Sequence, residues 1–234
     1  MLLGKAMTIA QNLAQVRSQI EAACQQAGRA ANTVKLVAVS KTKPAEMIRE
    51  AYEAGQRIFG ENYVQELLQK QAHPLLHGLD IEWHLIGHLQ SNKVKYIVGK
   101  VLMVQAVDKI SLAAELSRRA GRQNQCVAIL LEVNISDESS KYGFKPEEVC
   151  AAAKEIFTMP HLSLKGLMAI GSPELEKAEK EFAKMKCLFD DIKRLAPQPE
   201  TFTELSMGMS GDFAQAIAAG ATIVRIGSAI FGER

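Results

Sequence analysis

Lys41 closes the run Lys35-Leu-Val-Ala-Val-Ser-Lys41-Thr-Lys-Pro44, an apolar, strand-like stretch leading into a loop, with Pro44 at a favourable first position of the helix that follows. A lysine so placed has its stem in a packed interior and its amine at the rim of a sheet. Partial desolvation suits such an amine to form a Schiff base with an aldehyde. By itself the segment reads more simply as a surface lysine at a strand end, and the far end of the chain is what changes the reading. Lys43, the neighbouring rival, lies past the strand immediately before Pro44, where its side chain should reach water.

Near the carboxyl terminus, Ser206-Met-Gly-Met-Ser210-Gly-Asp212 joins a seventh strand to a helix expected to begin near Gly211. Unpaired backbone N–H groups, serine hydroxyls and glycines that permit close approach together make an anion site. Val224-Arg-Ile-Gly-Ser-Ala-Ile-Phe-Gly232 follows, and Gly227 and Ser228 can direct further N–H groups at the same anion. The simpler reading makes Ser210 a helix cap and Gly227 a turn. Asp212 would repel a phosphate, so it is expected to serve the helix dipole or to turn toward a neighbouring donor. Arg225 is expected to point into the mouth between these loops. A buried guanidinium needs an acceptor, either a carboxylate or the ring nitrogen of a bound cofactor. An imine-forming lysine, a phosphate cradle and an arginine donor together describe pyridoxal 5′-phosphate (PLP).

These residues need a frame, and the chain alternates in a way that supplies one. An amphipathic helix over 8–28, with Ile9, Leu13, Val16 and Ile20 at helical spacing, precedes strand-like runs at 34–40, 57–60, 81–86, 101–106, 126–135, 163–170, 202–206 and 222–226. Helical patterns lie between them at 44–55, 62–72, 90–98, 110–121, 146–158, 174–195 and 211–219. Eight strands alternating with helices over 234 residues predict an α/β fold, a single (β/α)8 TIM barrel with an extra N-terminal helix and one domain over 1–234. The competing open, doubly wound sheet would ordinarily carry a Gly-rich turn after its first strand, and here that turn is Ser40-Lys-Thr-Lys-Pro. Barrel chemistry gathers at the C-terminal ends of the strands. Lys41, Glu61-Asn62, Gly87-His88, Asn134–Ser136, Ala169–Gly171, Ser206–Ser210 and Gly227-Ser228 all fall there.

Composition narrows the partners. A net charge of +2, with 23 % charged residues, argues for neither a nucleic-acid groove nor a membrane surface. Cys24, Cys126, Cys150 and Cys187 are scattered without CxxC spacing, which predicts reduced thiols in a cytoplasmic protein. The opening MLLGKAMTIAQNLAQV is broken by Gln11 and Asn12 before it could serve as a signal sequence, and the start may be read at Met1 or Met7.

Seven ordered motifs then carry a resemblance. Ala38-Val-Ser-Lys-Thr-Lys-Pro44, Phe59-Gly-Glu-Asn-Tyr-Val-Gln-Glu66, Trp83-His-Leu-Ile-Gly87 with Leu89-Gln-Ser-Asn-Lys93, Val133-Asn-Ile-Ser-Asp137, Lys165-Gly-Leu-Met-Ala169, Leu205-Ser-Met-Gly-Met-Ser210 and Val224-Arg-Ile-Gly-Ser228 resemble the YggS/PROSC family across nearly the whole chain. These are PLP-binding, PLP-homeostasis proteins. The resemblance implies a single barrel like the N-terminal domain of alanine racemase, carrying PLP as an aldimine on Lys41. It implies further that Arg225 meets the pyridine nitrogen, that Ser206, Ser210, Gly227 and Ser228 hold the phosphate, and that Asn62 sits near the ring. Lys141, in Ser139-Ser-Lys-Tyr-Gly143, matches a family lysine linked to a second PLP contact. Two departures are visible beside the rim: His88, where many members have proline, and Gln215, where many have glutamate.

A PLP protein need not be a PLP enzyme. An electron sink normally keeps the pyridine nitrogen protonated with an Asp or Glu, and arginine cannot accept that proton. Racemases tolerate arginine but set an acid/base residue on each face of the cofactor, one from a second subunit built with a second domain. The barrel pattern here uses the whole length. The reading is therefore an intracellular PLP carrier or reservoir, expected as a monomer, that hands the aldehyde to an incoming amine or to apo PLP-dependent enzymes. The alternatives are a PLP-dependent amino-acid racemase of weak or unknown activity and a cofactor-free Schiff-base aldolase. The remaining candidates read as structure. His73 and His77 are loop residues without a third metal ligand, so no metal is expected, and Trp83 belongs to the core. His84 is a satisfied core histidine or a rim residue near the cofactor. Ser91 or Asn92 caps a helix bearing Lys93 and Lys95, and 174–193 is an exposed helix whose Phe182, Met185 and Phe189 face the barrel.

Overall fold

A computed structural model describes residues 7–136 and 142–233. Its eight strands are all parallel and close into a barrel in chain order: β1 (Lys35–Val39), β2 (Ile58–Glu61), β3 (Glu82–Leu85), β4 (Met103–Val107), β5 (Val127–Glu132), β6 (Leu162–Met168), β7 (Glu204–Ser206) and β8 (Ile223–Ile226). Parallel neighbours need a crossover, and helices supply them: α2 (Ala45–Glu53), α3 (Val64–Gln71), α4 (Ile110–Arg122), α5 (Val149–Phe157), α6 (Leu175–Leu195) and α7 (Phe213–Ala218), with α8 (Ser228–Phe231) after the last strand. The crossover from β3 to β4 differs from expectation. It is a 3-10 helix, Ser91–Tyr96, whose N-cap is Gln90 and makes no side-chain bond, so neither Ser91 nor Asn92 caps it. Pro44 is likewise the N-cap of α2, one position before its expected place, and α7 begins at Phe213, later than Gly211.

The extra helix α1 (Ile9–Gln26) opens with a capping box in which Thr8 and Gln11 satisfy each other's backbone N–H groups. Its buried stripe, Ile9, Leu13, Val16 and Ile20, packs on α2, α7 and α8, and Asn12 Nδ2 donates to Ile230 O at 2.9 Å. Thus α1 clasps the seam where the last strand meets the first.

Register decides which residues look into the barrel. Val37 is paired with Arg225, Val39 with Gly60, Gly60 with His84, Glu132 with Met168, Met168 with Ser206, and Ser206 with Ile223. Paired residues share a sheet face, so the apolar plug of Val37, Met103, Leu130, Met168 and Ile223 lies on the same face as His84, Glu132, Ser206 and Arg225. The alternate residues pack outward beneath the helices, where Phe182, Met185 and Phe189 of α6 meet them. Among the described residues no helix is long and apolar enough to cross a membrane, and no group of three His, Cys, Asp or Glu could hold a metal.

Candidate functional site

One cavity of about 570 Å³ opens at the C-terminal ends of the strands, and its walls include Lys41, Lys43, Asn62, Ser210, Arg225, Gly227 and Ser228. Lys41 follows β1 and is half-buried. The next residue, Thr42, has φ 63°, a left-handed conformation that costs a β-branched residue about 1–2 kcal/mol. A buried ionic cluster holds it there. Thr42 N donates to Glu66 Oε1 at 2.5 Å, and Lys70 Nζ reaches Glu66 Oε1 (2.6 Å), Glu61 Oε1 (2.7 Å) and Ser40 O (2.7 Å). The Ser40 hydroxyl completes it by donating to Glu61 Oε1 at 2.6 Å. Burial pushes the Glu61 carboxyl above its usual range, and the Lys70 ammonium pulls it back. Lys43 departs from the simple picture of a water-facing side chain. Its ammonium donates to Gly232 O (3.0 Å) and Glu233 O (2.8 Å), tying the first loop to the carboxyl-terminal segment.

Across the cavity the two expected loops converge. The Ser228 hydroxyl donates to Ser210 Oγ at 3.2 Å, so both hydroxyls share one wall. Among the described residues the backbone N–H groups of Ser210, Gly211 and Ser228 donate no hydrogen bond, which leaves them to a ligand. Gly208, with φ 93°, makes the turn possible, since a Cβ there would stand 2.6 Å from Ala216 Cβ and 2.9 Å from Phe213 Cα. Asp212 turns away from the cradle, and its Oδ1 accepts from Met209 N at 2.5 Å. Burial raises its carboxyl, and that N–H opposes the rise. Asn62 stands opposite, close against Gly87, where a Cβ would lie 2.6 Å from Asn62 O.

Arg225 forms the floor. Its Nη1 donates to Ser206 Oγ at 2.6 Å and its Nη2 to Ala169 O at 2.8 Å, which leaves other N–H groups of the guanidinium for the cavity. Burial lowers its pKa to about 10, against the pull of Glu132 and Asp212, so it stays cationic at neutral pH. Below it runs a chain of buried groups. Ser206 Oγ donates to Gln105 Oε1 at 2.7 Å, and Gln105 Nε2 lies 2.8 Å from His84 Nδ1. Burial, helped by the Lys35 charge, drops the His84 pKa to about 4, so the ring is neutral and accepts from the Gln105 amide. Ser206, expected at the phosphate, is therefore found elsewhere. It is fully buried, its hydroxyl is taken by Arg225 and Gln105, and it is absent from the cavity wall.

Sequence reasoning missed Gln105, Lys70 and Glu132. For Gln105 and Glu132 the available signal was a polar residue inside an otherwise apolar strand, as in Met103-Val-Gln-Ala-Val107 and Val127-Ala-Ile-Leu-Leu-Glu132, and Lys70 on α3 carried none. Lys141 lies outside the described residues. His88 Nδ1 stands 2.9 Å from Asp108 Oδ2 and its ring stacks on Tyr142 with centroids 3.8 Å apart, while Gln215 on α7 lines neither this cavity nor its neighbour.

Barrel and mouth together define a class, the barrel half of the fold-type that includes alanine racemases. The family model described as alanine racemase, N-terminal domain, matches residues 11–234. An alanine racemase from Clostridium difficile superposes with a TM-score of 0.70 at 12 % identity, this chain covering 56 % of it, a likeness of fold alone. The pyridoxal phosphate homeostasis protein of Pasteurella multocida is 47 % identical over 230 residues, 97 % of this chain and 98 % of that one. The protein of the same name from Escherichia coli is 45 % identical over 229 residues, 97 % of each. PipY of Synechococcus elongatus, solved with PLP bound, superposes with a TM-score of 0.84 at 37 % identity, covering 96 % of this chain and all of that one. The chain belongs to the family of pyridoxal phosphate homeostasis proteins, the single-barrel relatives of the alanine racemase N-terminal domain.

Proposed function

We propose that this protein binds PLP at the barrel mouth and acts in PLP homeostasis as a carrier, holding the cofactor on Lys41 and releasing it to an incoming amine. One observation carries the reading: Lys41, Arg225 and the paired Ser210–Ser228 cradle share a single cavity. When bound, the cofactor supplies an aldehyde that condenses reversibly with a primary amine, releasing water. Lys41 supplies the amine. Ser210, Gly211 and Ser228 supply unengaged N–H groups, and two of them hydroxyls, for a phosphate, with Gly227 leaving the backbone approachable. Arg225 presents N–H donors to a ring nitrogen and cannot take up its proton, which disfavours carbanion chemistry and favours storage. Asn62 lines the wall where the ring would lie, and Ser206 acts by orienting Arg225.

The same reading places one domain over 1–234, monomeric and cytoplasmic, with apo PLP-dependent enzymes among its acceptors. Purified protein mixed with PLP is expected to turn yellow and to lose that band on borohydride reduction with label at Lys41. Lys41→Ala is expected to stay colourless, and a persistent reducible band in that variant would overturn the assignment. Turnover of D- or L-amino acids well above that of free PLP would overturn the carrier role in favour of a racemase.

A further inference from the structure

A second cavity of about 560 Å³ adjoins the first, and the two share Asn62, Ile86 and Ile170 as walls. Into it looks Glu132, the last residue of β5, only 8 % exposed, whose Oε2 accepts no hydrogen bond among the described residues. A buried carboxylate oxygen without a donor is costly, and here another acid, Asp108, worsens the cost. Arg225 attracts Glu132 from β8, but two of its N–H groups are committed to Ser206 and Ala169. The other titratable groups of the cavity wall are His88, Lys93, Tyr63 and Tyr142, and none is hydrogen-bonded to that oxygen. An unpartnered carboxylate oxygen facing a cavity is matched by a compact cation rich in N–H donors. Among the described residues no three-ligand metal cluster exists to suggest another kind of cation.

We propose that this second cavity receives the primary ammonium group of the amine that takes over the aldehyde, with Glu132 as its counter-charge and the acceptor of its proton. The proposal rests on the carrier reading above and adds the place where the acceptor arrives. In the step assigned to Glu132, the R–NH3+ group gives one proton to the carboxylate, leaving R–NH2 and a neutral carboxylic acid. No other bond changes. Only the neutral amine has the lone pair needed to attack a carbonyl or imine carbon. Burial, with Asp108 beside it, lifts the Glu132 carboxyl to about 7, which fits it to take such a proton near neutral pH. The amine can come from a free amino acid or from a lysyl side chain. Lys93 on the same wall would repel a bare ammonium and welcome one that brings a carboxylate.

The test uses the full chain in two forms. In cofactor-free protein labelled with ¹³C at the Glu carboxyls, the signal absent from Glu132→Gln reports this residue, and methylamine, glycine or Nα-acetyl-lysine should lower its titration midpoint by about one pH unit. In PLP-loaded protein, release of the yellow species should saturate with amine concentration, and Glu132→Gln should slow it on the order of 10²-fold while still loading with PLP. Stronger effects of glycine, weakened by Lys93→Ala, assign the site to free amino acids; stronger effects of Nα-acetyl-lysine assign it to protein side chains. A midpoint unmoved by all three amines, or release from Glu132→Gln at the wild-type rate, would overturn the proposal. Failure of the wild type to turn yellow would instead sink the carrier reading, leaving the carboxyl titration to decide amine binding by itself. Should Glu132→Gln not fold, Glu132→Asp gives the same assignment.

Discussion

Arg225 shows how a single side chain can be both ligand donor and buried liability. Ser206 and Ala169 satisfy two of its N–H groups, and Ser206 is in turn fixed by Gln105. Replacing Ser206 by alanine removes an acceptor from a guanidinium and a donor from an amide at once. The expected loss is about 2–3 kcal/mol in urea unfolding, together with a several-fold weaker hold on PLP measured by absorbance titration. Had Ser206 bound the phosphate directly, the affinity would fall with little change in stability, so the two measurements separate the roles. This distinction was not legible in the sequence. Ser206 and Ser210 stand in one serine- and glycine-rich loop and look alike there, whereas the register that turns Ser206 inward beside Ile223 appears only when the barrel closes. The placement of Lys41, Asn62, Gly227 and Ser228 at the barrel mouth was readable because each lies just past a strand end, where position in a barrel already specifies direction, and Arg225 stands one residue before the end of β8.

The loop between β1 and α2 is stabilised from behind by α3, whose Lys70 looks inward at Glu61, Glu66 and Ser40. Removing one partner of a buried ion cluster strands the others, so Lys70→Met should destabilise the fold by about 3–5 kcal/mol. Thr42→Gly works in the opposite direction. Glycine tolerates φ 63°, and relief of left-handed strain should outweigh its extra chain entropy, leaving the variant equal to wild type or up to about 1 kcal/mol more stable in urea. Its PLP band should nonetheless form more slowly in stopped-flow mixing if the stiff residue keeps Lys41 aimed at the cavity. Elements of this kind divide cleanly into those a sequence can announce and those it cannot. The strands β2 and β7, four and three residues long, carry weak patterns, and only the count of alternating units made them credible. The stretch 90–98 after β3 carries a helical pattern, with Val94, Ile97 and Val98 buried at helical spacing, yet it winds into the 3-10 helix Ser91–Tyr96. Lys70 went unremarked in the sequence, since nothing local discloses that its face of α3 covers two carboxylates.

Two buried titrating groups on the lumen face set opposite demands on the folded barrel as pH changes. His84 has its pKa lowered to about 4 from 6.5, so between those values the unfolded chain binds more protons at this ring and stability rises with pH. Glu132 is raised to about 7 from 4.5, so between those values the folded chain binds more protons and stability falls as pH rises. The two slopes nearly cancel where they overlap, so this pair adds little net pH dependence across the mildly acidic range. Separating them is a matter of removing one. Glu132→Gln should match wild type near pH 4 and exceed it near pH 8 by an amount on the order of 3 kcal/mol, because the cost of ionising a buried carboxyl disappears. His84→Gln should instead resist acid, losing less stability than wild type as pH falls from about 6.5 to about 4. Urea unfolding at a series of pH values reads both. If the Glu132→Gln profile stayed parallel to wild type throughout, Glu132 would be ionised in the folded barrel at acid pH like any surface carboxylate. The oxygen that waits for an ammonium would then already have been satisfied. PLP brings an anionic phosphate to the same lumen, so loading should move the Glu132→Gln difference toward larger values wherever the cofactor engages Arg225 and weakens its pull on the carboxylate.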